Sequence, residues 1–85
     1  MNKIEKLEKA IEGVKFTPAQ KKVIDKLLIG YTIKIINKYH ISGGQMVWYR
    51  EGNTEHAGRI YKAFFNTFRT IKKAKGLDLS ELFYN

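Results

Sequence analysis

Apolar residues in the first thirty positions recur at spacings of three and four, and after Gly30 at every second position. The pattern therefore predicts helices first and a sheet next. Ile4, Leu7, Ile11 and Val14 define a first amphipathic helix, with Asn2 as its cap and Gly13 at its exit. Its outer face alternates Glu and Lys, including the pair Glu5–Lys9, and reads as a solvated surface. Thr17-Pro18-Ala19-Gln20 combines a capping hydroxyl, a proline at the first helical position and a Gln three residues after the cap. A second helix follows, with Val23, Ile24, Leu27 and Leu28 inward and Lys21, Lys22 and Lys26 outward. Gly30 is placed to stop it in a left-handed conformation.

From Tyr31 the period is two: Tyr31, Ile33 and Ile35 alternate with Thr32 and Lys34. Ser42-Gly43-Gly44 accepts positive φ and predicts a reversal. Gln45 to Arg50 reads as the returning strand, with Met46 and Trp48 on one face and Val47 and Tyr49 on the other. Beyond it two assignments compete. Glu51-Gly52-Asn53 can form a tight turn leading to a third strand, Glu55 to Ile60, before a helix that starts near Tyr61. Alternatively, Thr54 caps a longer helix directly. Gly58 costs a helix interior about 1 kcal/mol relative to Ala, which favours the strand.

The last long segment returns to the helical period. At 100° per residue, Arg59, Lys62, Asn66, Arg69 and Lys73 share an arc of roughly 80°. Ala57, Ile60, Tyr61, Phe64, Phe65, Phe68 and Ile71 occupy roughly 140° on the other side, the predicted packing face. Lys75-Gly76 ends this helix, with basic charge at the favourable pole of its dipole. Asp78-Leu79-Ser80-Glu81 resembles a capping box that opens a short final turn bearing Leu82 and Phe83.

Charge sharpens this picture. The 85 residues carry 16 Lys and Arg against 8 acids, a formal charge of +8, and the excess is unevenly placed. The first helix is balanced, whereas residues 26–50 and 56–77 contain no acid. A one-sided field of this kind favours polyanionic or acidic partners. Size and composition predict a single domain, 1–85, with a compact core supplied largely by its 11 aromatic rings. The absence of cysteine excludes disulfides and thiolate metal sites and fits a cytoplasmic setting. No segment approaches the roughly 20 apolar residues of a membrane span, and the N-terminus lacks the apolar core of a secretory signal.

The candidate contact residues are Arg59, Lys62, Asn66, Arg69, Lys72 and Lys73 on the long helix, with Lys34, Lys38 and Arg50 on the hairpin. Cations at helical spacing can meet successive phosphates, and Asn is a side chain able to pair with an adenine edge. The same residues also suit an ordinary wet face. Tyr39, His40, Trp48, Tyr49 and Arg50 bring rings and charge together on the hairpin, where exposed rings stack on unpaired bases. Trp48 shares a face with Met46 and is expected in the core, which leaves Tyr39 and Tyr49 as the stacking candidates. His40 and His56 alone do not make a metal site, and Ser42 beside two glycines has neither a base partner nor a phosphate-loop pattern. Neither a metal, a cofactor nor an enzymatic activity is predicted.

The order of helix, helix, hairpin or three-stranded meander, then helix resembles the small winged-helix group. Thr17 to Gly30, the Gly30-Tyr31 step, the Ser42-Gly43-Gly44 tip and the Lys75-Gly76-Leu77 exit also resemble features of small basic phage and bacterial proteins. The resemblance covers most of Thr17 to Leu77 and implies nucleic-acid binding, duplex DNA above RNA. It departs from the family in one respect: the helix after the hairpin is more basic than the one before it.

The expectation is thus an α+β winged-helix-like domain, ending in a long basic amphipathic helix and a short C-terminal turn, that binds nucleic acid through phosphates without catalysis. The alternative is a small inhibitor or adaptor that docks its basic face on an acidic protein. A membrane-surface or calmodulin-target helix ranks third, because the aromatic side of the long helix is needed for the core. Surplus rings on that helix also allow a homodimer.

Overall fold

The computed structural model describes residues 2–36, 45–56 and 61–84. Helix α1 runs Lys3–Ile11 and α2 runs Pro18–Leu28. Strands β1 (Thr32–Ile36), β2 (Gln45–Arg50) and β3 (Asn53–His56) follow, then α3 (Tyr61–Lys75) and the single turn α4 (Ser80–Phe83). The described residues form a small α+β domain of four helices and one antiparallel sheet, ordered β1-β2-β3.

Both early helices start as their caps dictate. The Asn2 side chain accepts from the Glu5 amide at 2.8 Å. Thr17 and Gln20 close a reciprocal capping box, in which the Thr17 hydroxyl accepts from the Gln20 amide and the Gln20 side chain accepts from the Thr17 amide. Two otherwise unpaired donors of the first turn are thereby satisfied. Gly30 ends α2 at φ +95° and Gly76 ends α3 at φ +69°, conformations that L side chains avoid.

Residues 51–56 correct the expected third strand. Arg50 pairs with Asn53, so the reversal uses only Glu51 and Gly52. Both have positive φ, +37° and +89°, which is the I′ hairpin turn whose twist matches its flanking strands. The strand therefore begins at Asn53, two residues earlier than the predicted Glu55. Residues 57–60, where it was expected to continue, lie outside those described, and α3 starts at Tyr61. A long helix capped by Thr54 is excluded, because Thr54 sits in β3 opposite Tyr49.

Antiparallel partners share a face, so the register sets what the sheet buries. Ile33 opposes Trp48, and these two with Met46 face the helices. The core joins them to Leu7, Ala10, Val23 and Leu27 of the first two helices and to Ala63, Phe64, Phe68 and Ile71 of α3. Leu79 and Phe83 of the C-terminal segment join this core, and Leu82 packs against it. Aromatic edges organise the centre: Phe64 meets Trp48 at 6.4 Å and 83°, and Phe68 at 4.9 Å and 80°. Such T-shaped pairs contribute about 0.5–1.5 kcal/mol beyond their buried area. Tyr84 forms a parallel bridge with Ile33 and tethers the C-terminal segment to β1.

The final turn has a different cap from the one expected. Asp78 does not act as the N-cap of a capping box. Leu79 occupies the cap position without a side-chain hydrogen bond. The Asp78 carboxylate instead accepts from the Ser80 amide at 3.1 Å and from the Ser80 hydroxyl at 2.6 Å. An aspartate two residues before its amide donor folds a local turn more readily than it caps a helix three residues on.

Candidate functional site

α3 is oriented by a buried side that differs from the predicted one. Ala63, Phe64, Thr67, Phe68 and Ile71 are buried, and Phe65, assigned from sequence to the packing face, is 44% exposed. The reason lies in Thr67. Its hydroxyl donates to the Ala63 carbonyl at 2.6 Å, so a polar side chain enters the core fully satisfied. The small Ala63 and Thr67 let α3 approach its neighbours, and Thr70 accepts a hydrogen bond from Gln20 of α2 at 3.3 Å. The buried arc is centred near Ile71 and Thr67, which turns the far edge of the aromatic run to solvent.

Opposite that arc stand Lys62, Asn66, Arg69 and Lys73, all exposed. Their spacings of four, three and four residues put them in one line, about 16 Å long at 1.5 Å rise per residue. Among the described residues the one ion pair joins Lys26 to Glu55, so no carboxylate neutralises this line. Lys72 lies to one side of it. Its ammonium interacts with Asp78, whose carboxyl the Ser80 hydroxyl and then the Ser80 amide already hold below the usual carboxylate range. Lys72, Lys73 and Lys75 also occupy the last turn of α3, where positive charge complements the helix dipole.

The two described hairpin cations, Lys34 and Arg50, do not extend the line. Lys34 opposes Val47, on the sheet face turned away from the helices, while Arg50 follows Met46 and Trp48 on the other face. Lys34 is exposed. Arg50 is engaged within the fold: its guanidinium donates to the Ile29 carbonyl at 2.8 Å and lies 5.5 Å from the Tyr31 ring centroid. Lys26, expected to point outward with Lys21 and Lys22, is half-buried, pairs with Glu55 and stands 4.6 Å from the same ring. Arg59 and Lys38 lie outside the described residues, as do Ala57, Ile60, Tyr39, His40 and residues 42–44, where a reversal was expected. Trp48 is 1% exposed, as its shared face with Met46 required.

One exposed residue bordering the candidate site was not anticipated from sequence. Phe65 lies one turn after Lys62 and one turn before Arg69, on the border of the cationic line. Its position at the extreme edge of the predicted apolar arc was the available signal. No helix is long and apolar enough to cross a membrane among the described residues. Comparison of the chain with protein-family models, with curated protein sequences and with solved structures finds no match.

Proposed function

We propose that this protein is a small non-enzymatic nucleic-acid-binding domain that holds phosphates along α3. One observation carries the proposal: Lys62, Asn66, Arg69 and Lys73 stand in line on the solvent side of a helix whose other side is the core, and no carboxylate among the described residues pairs with them. Cations left unpaired repel one another, and a polyanion relieves that cost while releasing its own counterions. Lys72 joins the line from its flank. Arg59 is assigned to the same line by helical spacing alone, and Lys38 is a contact candidate of the hairpin by sequence alone.

The finer form of the proposal is a winged-helix-like layout of the kind seen in small basic phage and bacterial proteins. α3 is then the contact element and the β1–β2 hairpin the wing. That layout implies duplex DNA, and the absence of cysteine fits a cytoplasmic setting. Arg50, which braces the end of α2, is the least suited of the hairpin candidates to reach a ligand.

The test is anisotropy of a labelled random duplex across a salt series. Four phosphate contacts predict an affinity that falls about a hundredfold between about 50 and 200 mM salt. Reversing charge at Lys62, Arg69 and Lys73 together should abolish measurable binding. Salt-independent binding would overturn the proposal. So would the absence of any shift with generic DNA or RNA beside a protein retained from nuclease-treated lysate, which favours the acidic-protein partner instead.

A further inference from the structure

A helix that recognises phosphates by charge alone has no use for an exposed ring among its cations. Phe65 is such a ring. It is 44% exposed, with Lys62 one turn before it, Arg69 one turn after it and Lys72 a further turn on. At 1.5 Å per residue those cations begin about 4.5 Å behind and 6 Å ahead of the ring along the axis. The ring is also held in place from below, since its centroid lies 5.2 Å from that of Phe64, tilted by 57°. Phe64 itself is 1% exposed and anchored against Trp48 and Phe68. Tyr84, 41% exposed, stacks on the same Phe64 at 6.5 Å and 18°. Two partly exposed rings thus rest on one buried ring, and of the two Phe65 borders the cationic line.

We infer that α3 binds an unpaired nucleic-acid strand, with Phe65 as the platform on which a base stacks while Lys62, Arg69 and Lys72 hold flanking phosphates. This rests on the proposed function and departs from the duplex that the fold layout implies. A single strand presents negative charge and open π-faces together, and a duplex hides its base faces in the stack. A ring fixed by packing against Phe64 loses little freedom on binding, so stacking on it is not offset by ordering. A second copy of this chain is disfavoured at the same surface, because it would bring Lys62, Arg69 and Lys72 against their own equivalents. An anionic lipid surface needs apolar area to insert, and Phe64 and Phe68, at 1% and 6% exposed, are already spent on the core.

The experiment compares a labelled oligo(dT) of about twenty nucleotides with a duplex of equal length, long enough to cover one such site. The proteins are the natural chain, Phe65→Leu, Phe65→Tyr and the double variant Lys62→Glu/Arg69→Glu, each checked for an unchanged circular-dichroism melt. The natural chain should prefer the single strand. Phe65→Leu, which keeps bulk and removes the π-face, should weaken single-strand binding about five- to a hundredfold. Its salt slope should not change, and Phe65→Tyr should retain the affinity. The double variant should lose both ligands and flatten the slope by about 0.7 per phosphate on the single strand. Equal single-strand affinity for Phe65→Leu and the natural chain, with the double variant inactive, would overturn this inference and leave the proposed function intact. Binding of neither polymer, or binding only to anionic vesicles, would overturn both.

Discussion

The Arg50 guanidinium donates to the carbonyl of Ile29 at 2.8 Å, tying the end of β2 to the last turn of α2. Ile29 is the C-cap of that helix, and its carbonyl is among the acceptors that a helix terminus leaves without an internal partner. The same side chain lies along Gly30, where an added Cβ would sit 3.4 Å from its Cδ, and near the buried Tyr31 ring. A residue that sequence places in the ligand surface therefore serves the joint between the helical and sheet halves.

Replacement Arg50→Met keeps most of the stem and deletes the charged donor. A hydrogen bond from a charged group contributes about 1.5–3 kcal/mol in favourable settings, and an exposed cation–π contact about 0.5–1 kcal/mol. Because Arg50 is exposed, the expected loss is at the lower end, about 1–2 kcal/mol, measured by urea unfolding. Affinity for the labelled duplex or oligo(dT), and its salt slope, should stay as in the natural chain. A flattened slope with unchanged stability would place Arg50 in the ligand surface after all.

Much of the fold was legible because its signals are local. Asn2, Thr17-Pro18 with Gln20, Gly30 and Gly76 each act within one helical turn of themselves, and each ends or starts a helix as read. The alternation around Met46 and Trp48 likewise marks the sheet face that joins the helical core, although Val47 on the opposite face is also buried. What escaped depends on hydrogen bonds, ion pairs and turn geometry that the order of polar and apolar residues does not display. Thr67 reads as polar until its hydroxyl finds the Ala63 carbonyl, and only then can α3 rotate enough to expose Phe65. Lys26 reads as solvated until β3 brings Glu55 to it across the sheet edge. Glu51-Gly52 as a two-residue turn was hidden because Glu, unlike Asn or Asp, is not a usual occupant of positive φ. The line Lys62, Asn66, Arg69, Lys73 was visible for the opposite reason: helical spacing alone sets it, whatever packs behind.

Asp78 supplies a pH-dependent contribution whose sign follows from its partners. The Ser80 hydroxyl and then the Ser80 amide favour the charged carboxylate, with Lys72 adding a smaller attraction, so its pKa in the folded chain is below the ordinary value. The unfolded chain takes up the proton first as pH falls. The contribution is therefore complete above the ordinary aspartate range, about pH 4, and is lost as pH drops through the depressed folded value. Melting temperatures of the natural chain and Asp78→Asn should differ at neutral pH and converge toward strong acid. A gap that is constant from neutral to acid would mean that the carboxylate's charge is not what secures the final turn.

Trp48 sets two effects of opposite sign against each other. It is 1% exposed and meets Phe64 edge-on, so its removal opens a cavity in the core. Yet its indole N–H has no acceptor among the described residues, and an unsatisfied buried donor costs about 1–3 kcal/mol. Truncation Trp48→Ala forfeits the packing and should cost about 3–5 kcal/mol. Trp48→Phe forfeits less volume and removes the stranded donor, so the two changes offset one another and the net loss should stay below about 2 kcal/mol. Urea unfolding followed by circular dichroism distinguishes the two variants without relying on the tryptophan signal. Equal losses for both would show that the N–H is satisfied in solution, by water or by a residue of segments 37–44 or 57–60. In the natural chain, the same burial predicts blue-shifted emission, poorly quenched by iodide and unaltered by saturating oligo(dT), since a base stacked on Phe65 stays separated from the indole by Phe64.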